Sequence, residues 1–141
     1  MGLSDARTAD SQAPPAPIVY VVDDSPDLAE MLEMFLTAAG YPTQVFHEPW
    51  KAVETLRTAT QRPKLLVTDF QMPGMNGMEL IQRCRELHPG LKVISASGHL
   101  PEAASLEYPS KPDSVLAKPY TSRQLVDVVK SLIGPQPPAQ P

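Results

Sequence analysis

The 141-residue chain has one cysteine, no run of lysine or arginine, and no apolar stretch near the ~20 residues that a membrane-spanning helix needs. Each shortage excludes something. A lone Cys84 cannot close an internal disulfide, which suits a reducing compartment, and its setting in Leu80-Ile81-Gln82-Arg83-Cys84-Arg85 reads as a small buried residue of a helix. Without basic clusters, and with a formal charge of -4, the chain lacks the electrostatic footprint of a nucleic-acid binder. The start, Met1-Gly2-Leu3-Ser4-Asp5-Ala6-Arg7, has neither the basic opening nor the apolar stretch of a secretion signal, so the cytoplasm is the expected location. Three histidines, His47, His88 and His99, fall in separate connections without ligand spacing, which argues against zinc.

Proline, by contrast, is abundant. Seven of the 17 prolines lie toward the ends, Pro14, Pro15 and Pro17 near the start and Pro135, Pro137, Pro138 and Pro141 at the close. Residues 1–16 and 135–141 therefore read as a leader and a tail with too few apolar groups to offset the entropy of ordering them. One domain over residues 17–134 is expected, and 42% hydrophobic residues suffice for its core.

Within that span, short apolar runs alternate with amphipathic segments, the pattern of βαβ units around a parallel sheet. Strands are expected at Ile18–Val22, Tyr41–Phe46, Lys64–Thr68, Leu91–Ser97 and Ser114–Ala117. Ser25 caps a helix opened by Pro26 and faced by Leu28, Met31, Leu32, Phe35 and Leu36. Further helices are expected over Trp50–Thr60, from Gly77 to before Pro89, and over Thr121–Ile133, with Trp50 as a packing residue. Pro101, Pro109 and Pro112 leave room for only a short helix over Glu102–Glu107.

Three of these strands end in chemistry. Asp23-Asp24 follows the first, Asp69 the third, and Lys118-Pro119 the fifth, while Ser97 closes the fourth. In an open parallel sheet these ends share one edge, where ligands bind. Crowded carboxylates repel one another and call for a hard divalent cation, for which Mg²⁺ is suited, and Lys118 and the Ser97 hydroxyl can hold an anion. Together they suit transfer of a phosphoryl group onto a carboxylate. Taken singly, Asp-Asp after an apolar run is more often a helix cap than a metal site, and a lone Lys-Pro means almost nothing.

Val21-Val22-Asp23-Asp24, Asp69-Phe70-Gln71-Met72-Pro73-Gly74-Met75-Asn76-Gly77, Ser97-Gly98 and Lys118-Pro119-Tyr120 resemble the receiver domain of two-component response regulators. The resemblance covers residues about 18 to 133, in the family's order and close to its spacing. It implies a doubly wound α/β fold with five parallel strands in the order 2-1-3-4-5, flavodoxin-like, with helices on both faces. It implies that Asp69 accepts a phosphoryl group from a histidine kinase or phosphotransfer protein. Asp24, Asp69 and the Gln71 carbonyl would hold Mg²⁺, with Asp23 acting through water. Lys118, behind a cis peptide, would contact the phosphoryl group. Ser97 would move toward it, and Gln71 and His99 would tune hydrolysis, an ordinary loop histidine being the alternative for His99.

Two positions depart from the family. Val115 stands three residues before Lys118, where an aromatic switch residue is usual, with Tyr120 the aromatic nearby. The proline-broken segment replaces the helix between the fourth and fifth strands. The resulting expectation is a single-domain regulator that is no enzyme beyond slow loss of its own phosphate and signals by protein–protein contact. A phosphorylation-independent interaction module, or a phosphate shuttle or sink, is the rival.

Overall fold

The fold was obtained as a computed structural model that describes residues 16–97 and 110–136. Its elements are β1 (Val19–Val22), α1 (Pro26–Ala38), β2 (Thr43–Phe46), α2 (Pro49–Thr58), β3 (Leu65–Thr68), α3 (Gly77–Leu87), β4 (Lys92–Ser97), β5 (Ser114–Ala117) and α4 (Ser122–Ile133). The strands are parallel and ordered β2-β1-β3-β4-β5, as the resemblance implied. No described helix is long and apolar enough to cross a membrane.

Strand periodicity divides the core in two. Tyr20, Val22, Leu66 and Val93 point to one face, where Val53 and Leu56 of α2 and Leu80, Ile81 and Cys84 of α3 cover them. Val19, Val21, Leu65, Val67 and Ile94 point to the other, under Leu32 and Leu36 of α1 and Leu125 and Val129 of α4. All four residues of β1 and of β3 are buried, as expected of central strands covered on both sides. Burial pushes the Cys84 thiol up to about 12, in keeping with an inert core residue.

Local sequence sets the ends of the helices. The Ser25 hydroxyl accepts from the Leu28 N–H, Pro26 takes the first turn of α1, and Gly40 leaves the helix at φ 94°. The Asn76 side chain accepts from the Glu79 N–H at 2.9 Å to open α3. Thr121 and Gln124 form a reciprocal capping box at the start of α4.

Several boundaries shift from expectation. Tyr41 lies outside β2, because Pro42 has no N–H to extend the ladder; its ring is buried instead, and its hydroxyl donates to the Gly134 carbonyl at 2.8 Å. Helix α2 starts one residue early, at Pro49, and ends at Thr58, after which Ala59 is extended. Trp50 is not a packing residue. The buried positions of α2 are Pro49, Ala52, Val53 and Leu56, and at one step from Pro49 the indole falls outside that stripe and is 54% exposed. The short helix expected over Glu102–Glu107 lies outside the described residues, as do most of the expected leader and tail.

Candidate functional site

The sheet carries its acidic residues just past the ends of β1 and β3. The Asp23 N–H donates to the Phe46 carbonyl at 3.0 Å and the Asp69 N–H to the Val22 carbonyl at 3.2 Å, so both backbones continue the ladder before the chain turns away. Asp23 is 2% exposed and Asp24 is exposed. Asp23, Asp24 and Asp69 each offer an oxygen, and these oxygens all lie within 4.8 Å of one another. From β5 the Lys118 Nζ comes to 3.6 Å from Asp69 Oδ2, and the Lys118-Pro119 peptide is cis.

Hydrogen bonds orient the two inner carboxylates. Asp23 Oδ1 accepts from the Ser25 N–H at 2.9 Å, which fixes the turn from β1 into α1. Asp69 Oδ1 accepts from the Phe70 N–H at 2.7 Å, and Oδ2 faces the lysine. Burial raises the pKa of Asp23 above the usual carboxylate value; the Ser25 N–H and Lys118 pull it down, and the charges of Asp69 and Asp24 push it further up. Tyr120 is driven up to about 12, by burial first and then by the fields of Asp23 and Asp69.

The donor set fits a hard cation. Three carboxylates against one lysine leave excess negative charge at a partly dry edge, and an all-oxygen set of this size matches Mg²⁺, which keeps several waters. Gln71 is exposed in the loop that follows Asp69.

The remaining expected residues divide between those placed near the cluster and those not described. Ser97 ends β4, in register with Ala117 of β5; its side chain lies outside the described residues, and so does His99. Val115 pairs in register with Ser95 and is 52% exposed, so the outer face of β5 carries an open aliphatic residue. Tyr120 packs against the α1/α4 side of the core and, with Leu28, Met31, Lys118 and Pro119, lines a cavity of about 410 Å³ beside the cluster. Met72 and Met78 are buried beneath the loop after Asp69, and Met75 packs on them, as expected of gap-filling thioethers.

Gly77 has a task that its place in the motif does not reveal. A Cβ there would lie 2.4 Å from the Asp69 carbonyl oxygen and 3.0 Å from the Phe70 Cα, while the Gly77 N–H donates to the Phe70 carbonyl at 2.7 Å. Only glycine lets α3 begin this close behind Asp69. A glycine opening a helix right after an Asn cap was the available signal.

A twisted parallel sheet with an acidic triad and a lysine at its strand ends defines a doubly wound phosphate-site protein. The family model of the response regulator receiver domain matches residues 19–130, and the chain belongs to that family, whose members serve two-component systems as phosphoacceptors. It is 33% identical over 118 residues to the DNA-binding transcriptional regulator NtrC of Escherichia coli, covering 83% of this chain but 25% of NtrC. It is 32% identical over 117 residues to the response regulator receiver protein CpdR of Brucella abortus, covering 82% of this chain and 95% of CpdR. The response regulator TrrA of Thermotoga maritima, solved in complex with Mg²⁺-BeF, shares the fold at a TM-score of 0.72 and 23% identity, covering 84% of this chain and all of that one. The chain thus spans about a quarter of the NtrC relative and nearly all of CpdR.

Proposed function

We propose that Asp69 is the phosphoacceptor and that a phosphohistidine on a sensor histidine kinase or phosphotransfer protein is the donor. The observation that carries this is the Asp69 carboxylate 3.6 Å from the Lys118 ammonium, inside a triad of acidic oxygens within 4.8 Å. An Asp69 oxygen forms a bond to phosphorus as the phosphorus–nitrogen bond breaks, and that electron pair leaves with the imidazole. Lys118 meets the negative charge gathering on the phosphoryl oxygens. Asp24, Asp69 and the Gln71 carbonyl would hold Mg²⁺, with Asp23 acting through water; the bound ion supplies charge neutralisation for the incoming group.

The Phe70 N–H held by Asp69 Oδ1 keeps the carboxylate from rotating, so Oδ2 stays turned toward the lysine. Asp23 and Asp24 add negative charge beside Asp69, and the three carboxylates together favour a cation at this edge. Ser97, with Val115 and Tyr120, is the switch set, and Gln71 and His99 tune water attack on the acyl phosphate. The protein is not an enzyme in this reading: it takes up one phosphoryl group per chain and loses it slowly. A phosphohistidine donor puts the reaction in the cytoplasm.

In this reading, output passes by protein–protein contact. The exposed aliphatic Val115 favours a second reading, an interaction module indifferent to phosphate, because no ring stands there to couple the acceptor to the surface. The test is incubation of the protein with acetyl phosphate and Mg²⁺, followed by intact-mass measurement. One phosphoryl group per chain, lost in Asp69→Asn, is the expected result; labelling that survives Asp69→Asn sinks the assignment. Partner capture unchanged by Asp69→Ala supports the module instead.

A further inference from the structure

Trp50 stands outside every role assigned so far. It opens α2 with its indole 54% exposed, and together with Asp24, His47, Glu48, Pro49, Pro73 and Gly74 it lines an open groove of about 330 Å³. The groove lies between the start of α2 and the loop after Asp69, and its lining sets Pro49, Pro73 and the indole beside the carboxylates of Asp24 and Glu48. It shares no lining residue with the Tyr120 cavity.

Trp50 and Glu48 already share a weak internal cation. The Lys51 Nζ lies 5.9 Å from the Trp50 ring centroid and 3.9 Å from Glu48 Oε1, with both charged side chains more than half exposed. An exposed pair of this kind contributes at most about 1 kcal/mol and gives way to a better-shaped cation. A guanidinium is that cation: its plane stacks on an indole while its fork pairs with a carboxylate, which an ammonium cannot do at once. Tryptophan set in a pocket with a charged rim is also the residue type most enriched among binding anchors.

We infer that this groove receives an arginine side chain from a partner protein, stacked on Trp50 and paired with Glu48, in place of Lys51. The chain's net charge of -4 and the nearby Asp23, Asp24 and Asp69 draw a basic segment toward it. The same charge disfavours a second copy of this chain as the occupant. The inference is independent of the assignment of Asp69, since Trp50, Glu48 and Lys51 take no part in phosphoryl transfer and the site is tested without phosphate.

Trp50 is the sole tryptophan, so its fluorescence reports on the groove alone. The full chain, with Mg²⁺ present to occupy the acidic triad, is titrated with a capped Ala-Arg-Ala-Arg-Ala peptide and with its citrulline counterpart. The arginine peptide should give a saturable change with half-saturation on the order of millimolar, as one exposed stacking pair allows, and the citrulline peptide none. Glu48→Gln should weaken binding about threefold or more, and Lys51→Ala, which removes the internal competitor, should strengthen it about twofold. The inference is overturned by an unsaturable signal, by equal binding of the citrulline peptide, by affinities unchanged in both variants, or by a fluorescence change that follows self-association.

Discussion

The two ends of the same sheet are built on opposite principles. Where the strands finish, Asp23, Asp24 and Asp69 crowd together against a single lysine, and burial pushes the Asp23 carboxyl up. Where they begin, side chains are tied to backbone carbonyls and to one ion pair. Arg85 of α3 donates from Nε to the Leu91 carbonyl, and through its other nitrogens to the Lys111 carbonyl and to Asp113 Oδ2 at 2.7 Å. Asp113 Oδ2 also accepts from the Val93 N–H at 2.8 Å, Arg62 donates to the Leu87 carbonyl, and His88 Nε2 meets the Pro63 carbonyl at 2.9 Å. One end stores an excess of negative charge that a cation can relieve; the other holds the elements in register.

If that division is real, substitutions at the two ends should separate chemistry from stability. Gly77→Ala is the strongest test, because it forces a methyl against the Asp69 backbone: a loss of about 2–4 kcal/mol in urea unfolding is expected, with acetyl phosphate labelling lost as well. Next in size is Asp113→Ala, which strands the Val93 N–H and the Arg85 charge. It should cost about 1–3 kcal/mol while leaving the labelling rate of the folded protein intact. A slowed labelling rate there would break the comparison.

Asp23→Asn should act in the reverse sense. The folded pKa is raised, so the contribution of this carboxyl is favourable below its ordinary value and is lost as pH rises through the folded value, leaving an ionised buried carboxylate as a penalty at neutral pH. The amide should therefore stabilise the metal-free protein at pH 7. That gain should fade on acidification toward pH 4 and be offset by Mg²⁺ in the parent, as thermal melts would show. The smallest effect concerns Cys84: a thiol held near 12 should resist alkylation at pH 8 in the native state and react at once in denaturant.

The sequence made the functional end far more legible than the supporting one. Asp23, Asp24, Asp69 and Lys118 are readable because each follows an apolar run directly, and parallel connectivity alone brings such ends together. Asp113 is not readable, since its partners lie 20 and 28 residues away and no periodicity links them. Trp50 was legible but misread: counting in threes and fours from Pro49 already leaves the indole outside the buried stripe. The first two residues expected of β2 were lost at Pro42, whose missing N–H outweighs the β preference of Tyr41.

The segment Tyr41-Pro42 has a topological consequence of its own. The Pro42 carbonyl accepts from the Ile18 N–H at 2.8 Å, and one residue before it the Tyr41 hydroxyl holds the Gly134 carbonyl. Residues 18 and 134 are therefore clasped to the same dipeptide, on the rim of the sheet remote from Asp69. A short glycine bridge joining them should close the domain into a ring that tolerates being cut open at an exposed connection elsewhere. Anything fused at either residue would leave the molecule from behind, with the acidic mouth unobstructed.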